Sequence, residues 1–262
     1  MTGNKRKGIV IQERDLFLLQ RIGVFRITDR NQVRIAAGFG SDSRTNRRLH
    51  ALTEAGLLKR FFLGTRGAGK KALYSLSQKG ALLANVPYRA LQRRSEESLA
   101  ADFFVEHQLR VNEVHLGLQR VPSGVSFIEW QAFYQSVIPD GRLVPDGYCT
   151  LQSLTGTVAA FLEVDLGHER RSVWLSKVQQ YIKFAVSGEY ERRFGTKRFR
   201  VLIVTTTDRR AHSLRSMISS LTDKLFWLST IEAVRTQGPF AGIWLRPNGR
   251  DHKSLTEESS LT

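Results

Sequence analysis

Phe161-Leu162-Glu163-Val164-Asp165 alternates apolar and acidic side chains inside a longer apolar run, residues 158–166. Successive side chains of a strand point to opposite faces, so Glu163 and Asp165 share one face while Leu162 and Val164 point into a core. Upstream, Pro145-Asp146-Gly147 places a third carboxylate on a strand expected over 141–151. Downstream, Lys177-Val-Gln-Gln-Tyr181 lies on a helix expected over 172–184, where residues four apart share a face.

The flanking segments extend this pattern. A strand is expected at 125–130, before the two acidic ones. Residues 199–206 form a β-branched run suited to a central strand covered on both sides. A helix at 211–221 and closing strands at 225–229 and 243–246 follow. Ahead of the first strand, 96–120 has a helical period with Ala100, Phe103, Phe104, His107, Val111, Val114 and Leu118 as one apolar stripe. His107 inside that stripe reads as a buried structural histidine. The polar Ser/Thr/Glu-rich segment 248–262 is expected to be a disordered tail.

The N-terminal third has a different character. Residues 1–98 hold 20 Lys and Arg against 7 Asp and Glu, whereas 99–262 hold 20 against 17, so most of the formal charge of +16 sits in the first part. A basic head on a near-neutral body suggests a polyanion-binding module joined to a domain with another task. Leu16, Leu18, Leu19 and Ile22 mark a first helix. Thr28-Asp29 offers a cap for a second, and Ser41 or Ser43 for a third that closes at Gly56. Leu57-Leu-Lys59-Arg60-Phe-Phe62, a basic tip of residues 64–71 and Ala72-Leu-Tyr74-Ser-Leu76 form a hairpin, and Ser77-Gln-Lys-Gly80 begins a short helix.

Several chemistries are excluded by what the chain lacks. Cys149 is the single cysteine, so there is no internal disulfide and no thiolate-rich zinc site. The six histidines have no zinc-ligand spacing and no relaxase-type cluster accompanies a tyrosine. No N-terminal apolar run resembles a signal peptide, and no stretch approaches a membrane span. The expected location is the cytoplasm, with no membrane partner.

Residues 11–84 resemble a winged helix-turn-helix domain, carried by "L-x-x-x-G-L-L-x-R", a basic hairpin and "Y-x-L-S-x-x-G". In such domains the third helix enters the major groove and the hairpin meets the backbone. The resemblance therefore implies that Arg44, Asn46, Arg47 and Arg48 face the bases. Lys59, Arg60, Arg66, Lys70 and Lys71 would neutralise phosphates. Beyond residue 98, helix, three strands, helix, strand, helix is similar to the restriction-endonuclease-like fold of the PD-(D/E)xK superfamily. Asp146 and Glu163-Val-Asp165 match its motif, with Asp165 standing where the lysine belongs.

Together, the basic head, His107-Gln-Leu-Arg-Val-Asn-Glu113, "P-D-G-Y", "F-L-E-V-D-L-G" and "K-V-Q-Q-Y" resemble the replication-relaxation family of plasmids and other mobile elements. The expected fold class is mixed α/β: a winged helix at 1–84, a basic linker at 85–98, a restriction-endonuclease-like domain at 99–247 and the tail. The expected function is site-specific binding of double-stranded DNA in replication, mobilisation or regulation of a mobile element. The alternatives are a Mg²⁺- or Mn²⁺-dependent endonuclease and a dimeric transcription regulator. In the endonuclease, Asp146, Glu163 and Asp165 would hold the metal. Lys177 would steady the attacking water and Tyr181 would orient Lys177.

Overall fold

The structure, a computed structural model, describes residues 9–65, 69–91, 98–139 and 141–257. It is mixed α/β and divides into two units, Met1–Asn112 and Glu113–Thr262.

In the first unit the first four helices each begin where a polar side chain satisfies a free amide. The Gln12 amide donates to Asp15 at 2.7 Å and starts α1 (Glu13–Phe25), whose Leu18, Leu19, Ile22 and Phe25 are buried. After the two-residue β1 (Thr28–Asp29), Asp29 accepts the Gln32 amide and caps α2 (Arg30–Ala36). Ser41 caps α3 (Asp42–Glu54), which Gly56 closes as the amides of Gly56 and Leu57 return to the carbonyls of Thr53 and Leu52. β2 (Leu58–Thr65) and β3 (Gly69–Leu76) form an antiparallel hairpin, and β1 pairs with β3 to give the order β1-β3-β2.

Ser77 then accepts the Gly80 amide at 2.9 Å and starts α4 (Gln78–Leu83). A Cβ at Gly80 would lie 2.0 Å from the Leu57 carbonyl oxygen. The glycine of the Ser77-Gln-Lys-Gly80 signature is therefore a contact requirement, since α4 meets the start of β2 backbone to backbone.

Several sequence expectations fail here. The segment after α4 is not a free connector: Val86 and Tyr88 pack on the first unit's core, and Leu91 packs with Ile27, Leu73, Val105 and Leu109. The division between units falls inside α5 (Ser98–Leu118), well past the expected border at 98. The cause is a buried polar network. The Asn112 amide donates to the Ile27 carbonyl at 2.7 Å, and Gln32 donates to the Leu109 carbonyl at 2.7 Å. The buried stripe of α5 matches the expected one at Val111, Val114 and Leu118 and departs from it elsewhere. Phe103 and Phe104 are exposed and His107 half-buried, while Val105, Leu109, Asn112 and His115 are buried.

The second unit holds a five-stranded sheet ordered β4-β5-β6-β7-β8. β4 (Ser126–Gln131), β5 (Gly147–Ser153) and β6 (Gly156–Asp165) run as an antiparallel meander. β7 (Arg200–Thr205) and β8 (Phe226–Thr230) lie parallel to β6. α6 (Arg171–Val186) and α8 (Asp208–Ser219) cover the face carrying Phe161, through Trp174, Val178, Tyr181, Phe184, Leu214 and Ile218. Two short helices, α7 (Glu189–Phe194) and α9 (Ile231–Gln237), escape the sequence reading because six or seven residues give too little periodicity.

The expected tail is also corrected. Lys253 bridges Trp244 antiparallel, Leu255 is buried, and Arg200 donates to the carbonyls of Leu255 and Glu257. One leucine and a backbone bridge suffice to hold a polar segment against the sheet. Residues 258–262 lie outside the described residues. Among the described residues no helix is long and apolar enough to cross a membrane.

Candidate functional site

On α3 the side chains divide by helical face. Thr45, Leu49 and Leu52 are buried, which leaves Arg44, Asn46 and Arg47 exposed. Among the described residues the guanidinium groups of Arg44 and Arg47 make no ion pair. Arg48, one position on, does not belong with them. Its Nε donates to Asp15 at 2.6 Å, and a terminal nitrogen donates to the same carboxylate and to the Val10 carbonyl. Asp15 is fully buried, so Arg48 ties α3 to α1 as a structural cation.

The hairpin cations divide likewise. Lys70 and Arg60 are exposed, the latter over the Phe62 ring at 5.5 Å. Lys59 donates to the Tyr88 hydroxyl at 3.0 Å and keeps its charge at the surface. Lys71 is ion-paired with Asp29, the α2 cap, and so is committed to holding that helix start. Arg66 lies outside the described residues.

The acidic motif of the second unit is brought together by the sheet. Asp146 immediately precedes β5, and its Oδ2 accepts the Val164 amide at 2.7 Å, joining the two acidic strands. Gly147 leaves room for the Trp130 ring, which an added Cβ would meet at 2.2 Å. Glu163 points toward α6, where Tyr181 donates to one carboxylate oxygen at 2.7 Å and Lys177 to the other at 3.0 Å. Lys177 is held from its other side by Glu169 at 2.9 Å. Asp165 accepts the Gly167 amide at 2.8 Å and the Nε of Arg210 at 2.5 Å. Arg210 also donates to the Glu169 carbonyl at 2.8 Å.

Burial dominates the electrostatics. It pushes the Glu163 carboxyl up to about 7, with Asp146 acting in the same direction, although Lys177 and the Tyr181 hydroxyl favour the charged form. Burial works against the Lys177 charge too. Glu163 and Glu169 more than offset it, so Lys177 titrates above the ordinary lysine range. Tyr181, enclosed beside Glu163, is raised well above a free tyrosine.

This donor set does not fit the expected Mg²⁺ or Mn²⁺. A hard divalent ion needs carboxylate oxygens that converge on one point. Here a backbone amide takes Asp146, Lys177 and Tyr181 take Glu163, and Arg210 takes Asp165. Among the described residues no three His, Cys, Asp or Glu side chains are gathered to hold one metal ion. Tyr181 orients Glu163, not Lys177, and the cation on Asp165 is Arg210.

Glu169 and Arg210 were missed from sequence because each meets the cluster through the fold. The parallel pairing of β6 with β7 sets Asp165 opposite Thr205, and Thr207 caps α8, so its first turn begins beside the acidic strand end.

Residues 19–198, more than half of the chain, match the family model described as replication-relaxation. No curated protein and no solved structure matches the chain.

Proposed function

The chain belongs to the replication-relaxation family, and on that premise we propose that it is a site-specific double-stranded DNA-binding protein acting in replication or mobilisation of a plasmid or other mobile element. The observation that carries this reading is the division of labour on α3. Arg44, Asn46 and Arg47 stand exposed, with no acidic partner among the described residues, while Arg48 is consumed in holding the helix in place. Arg and Asn side chains match the edges of guanine and adenine in the major groove.

The order of helices and hairpin supports a winged helix-turn-helix, with α3 reading bases and Lys59, Arg60 and Lys70 on the backbone. In the second unit the meander followed by a parallel strand supports a restriction-endonuclease-like reading. That unit's acidic cluster serves as a buried ion-pair network joining β6, α6 and α8. Metal-dependent cleavage has no support in the pairing of these carboxylates.

The test compares two variants on duplexes from the native locus. Arg44→Ala with Arg47→Ala should weaken binding by about 1–3 kcal/mol for each base edge no longer read and relax sequence preference, with an unchanged melting temperature. Arg48→Ala should instead lower stability by about 3–5 kcal/mol, because it strands the buried Asp15 charge. Wild-type affinity and specificity in the double variant would remove α3 as the reading helix. Incubation of supercoiled plasmid with Mg²⁺ or Mn²⁺ should give binding without nicking. Nicking that disappears in Glu163→Gln would restore the endonuclease.

A further inference from the structure

At the end of the second unit's sheet remote from Glu163 and Asp165 lies a groove of about 740 Å³. It runs along the start of β6, the entry to β7 and the turn before β8. With about 3.3 Å per strand residue, Thr157 and Asp165 stand roughly 25 Å apart along β6, so groove and acidic cluster are separate features. Five cations line it: Lys197, Arg198, Arg200, Lys224 and Arg246. Among the described residues its acidic lining is Asp223 and Glu257.

The cations are arranged in two tiers. Arg200 lies over the Trp227 ring at 4.3 Å and donates to the carbonyls of Leu255 and Glu257, and Arg246 donates to the Asp223 carbonyl at 2.9 Å. These carbonyls orient the two guanidinium groups. Burial, and then the charge of Arg246, draw Arg200 down to about 10, against the opposite pull of Glu257. Beside this pair Lys197, Arg198 and Lys224 are exposed, Lys197 within 3.8 Å of the exposed Glu191 carboxylate.

We propose that this groove binds the phosphodiester backbone of a nucleic acid strand, as a second contact independent of α3. A polymer with a charge at every unit suits cations spread over several chain segments along an open groove. Trp227 and Phe199 are buried in the groove wall, so neither ring is offered to a base and the contact is blind to sequence. The choice of nucleic acid among polyanions rests on the family's connection with replication; the site itself does not depend on base reading by α3.

The test uses the full chain carrying Lys197→Ser, Arg198→Ser and Lys224→Ser, with Lys197→Gln plus Lys224→Gln as a milder variant if the first melts early. Binding is followed over a series of KCl concentrations on a duplex and on a single strand of equal length. The slope of log affinity against log salt should shrink by about 0.9 for every duplex phosphate left unneutralised, or about 0.7 on a single strand, so by roughly two to three for the triple variant. Sequence preference should be unchanged. The substrate on which the slope shrinks identifies the strand form bound.

Wild-type slopes on both substrates overturn the proposal. So does wild-type nucleic acid binding accompanied by a failure to retain polyglutamate, which would assign the groove to an acidic protein segment. The Arg44→Ala, Arg47→Ala variant separates the two readings. A changed slope in the groove variant with unchanged specificity in the α3 variant would retain the groove and remove the base-reading helix. The reverse pattern would do the opposite.

Discussion

Glu163 shows how burial and two donors together set the chemistry of one carboxylate. Its carboxyl titrates at about 7 in the folded protein, above the glutamate range of an unfolded chain, because burial penalises the charge more than Lys177 and Tyr181 favour it. Between about pH 4.3 and the folded value the native state therefore holds a proton that the unfolded chain has lost. This contribution to stability is complete at low pH and disappears as pH rises through about 7. Urea unfolding across that window should show a falling limb that Glu163→Gln flattens; a limb of equal depth in the variant would locate the titration elsewhere. Lys177→Met removes the cation that Glu163 and Glu169 share. Above about pH 7, where Glu163 is charged, it should cost about 3–5 kcal/mol, and the loss should shrink as pH falls and Glu163 takes up its proton. A loss independent of pH would mean that Lys177 stabilises by packing on Trp174, which it approaches at 5.0 Å.

At the scale of elements, the first unit is set by caps and one backbone contact. Asp29, Ser41 and Ser77 each accept an amide at a helix start, so these boundaries were legible from residue type and spacing. Gly80 was legible as a motif position, but its purpose lies in the Leu57 carbonyl against it. Gly80→Ala should push α4 off β2 and cost about 1–3 kcal/mol or more, read as a lower denaturant midpoint with an unchanged slope. An unaltered midpoint would show that α4 moves aside freely. The α5 stripe holds at Val111, Val114 and Leu118 but not at Phe103 and Phe104, because its apolar residues surround more than one face. Asn112 and Gln32 choose the buried side by hydrogen bonds that hydropathy does not register.

At the scale of the whole molecule, the segment after Pro247 belongs to the second unit. Leu255 is buried, and Arg200 binds the carbonyls on either side of Thr256. Leu255→Ala should cost about 2–5 kcal/mol; a negligible change would return the segment to the role of a loose tail. The sequence by itself determined the mixed α/β class, the basic head, the acidic strand with its two same-facing carboxylates, and the helix that carries Lys177 and Tyr181. Those features follow from local periodicity, capping chemistry and charge counting, which need no knowledge of distant neighbours. Only the tertiary structure decided what each charge faces. Arg48 meets Asp15 across 33 positions, Arg210 meets Asp165 across 45, and the groove cations come from segments as far apart as Lys197 and Arg246. A charge becomes a base-reading, phosphate-holding or structural group through the partner that burial and strand order bring against it, and neither is written in the spacing of its own neighbours.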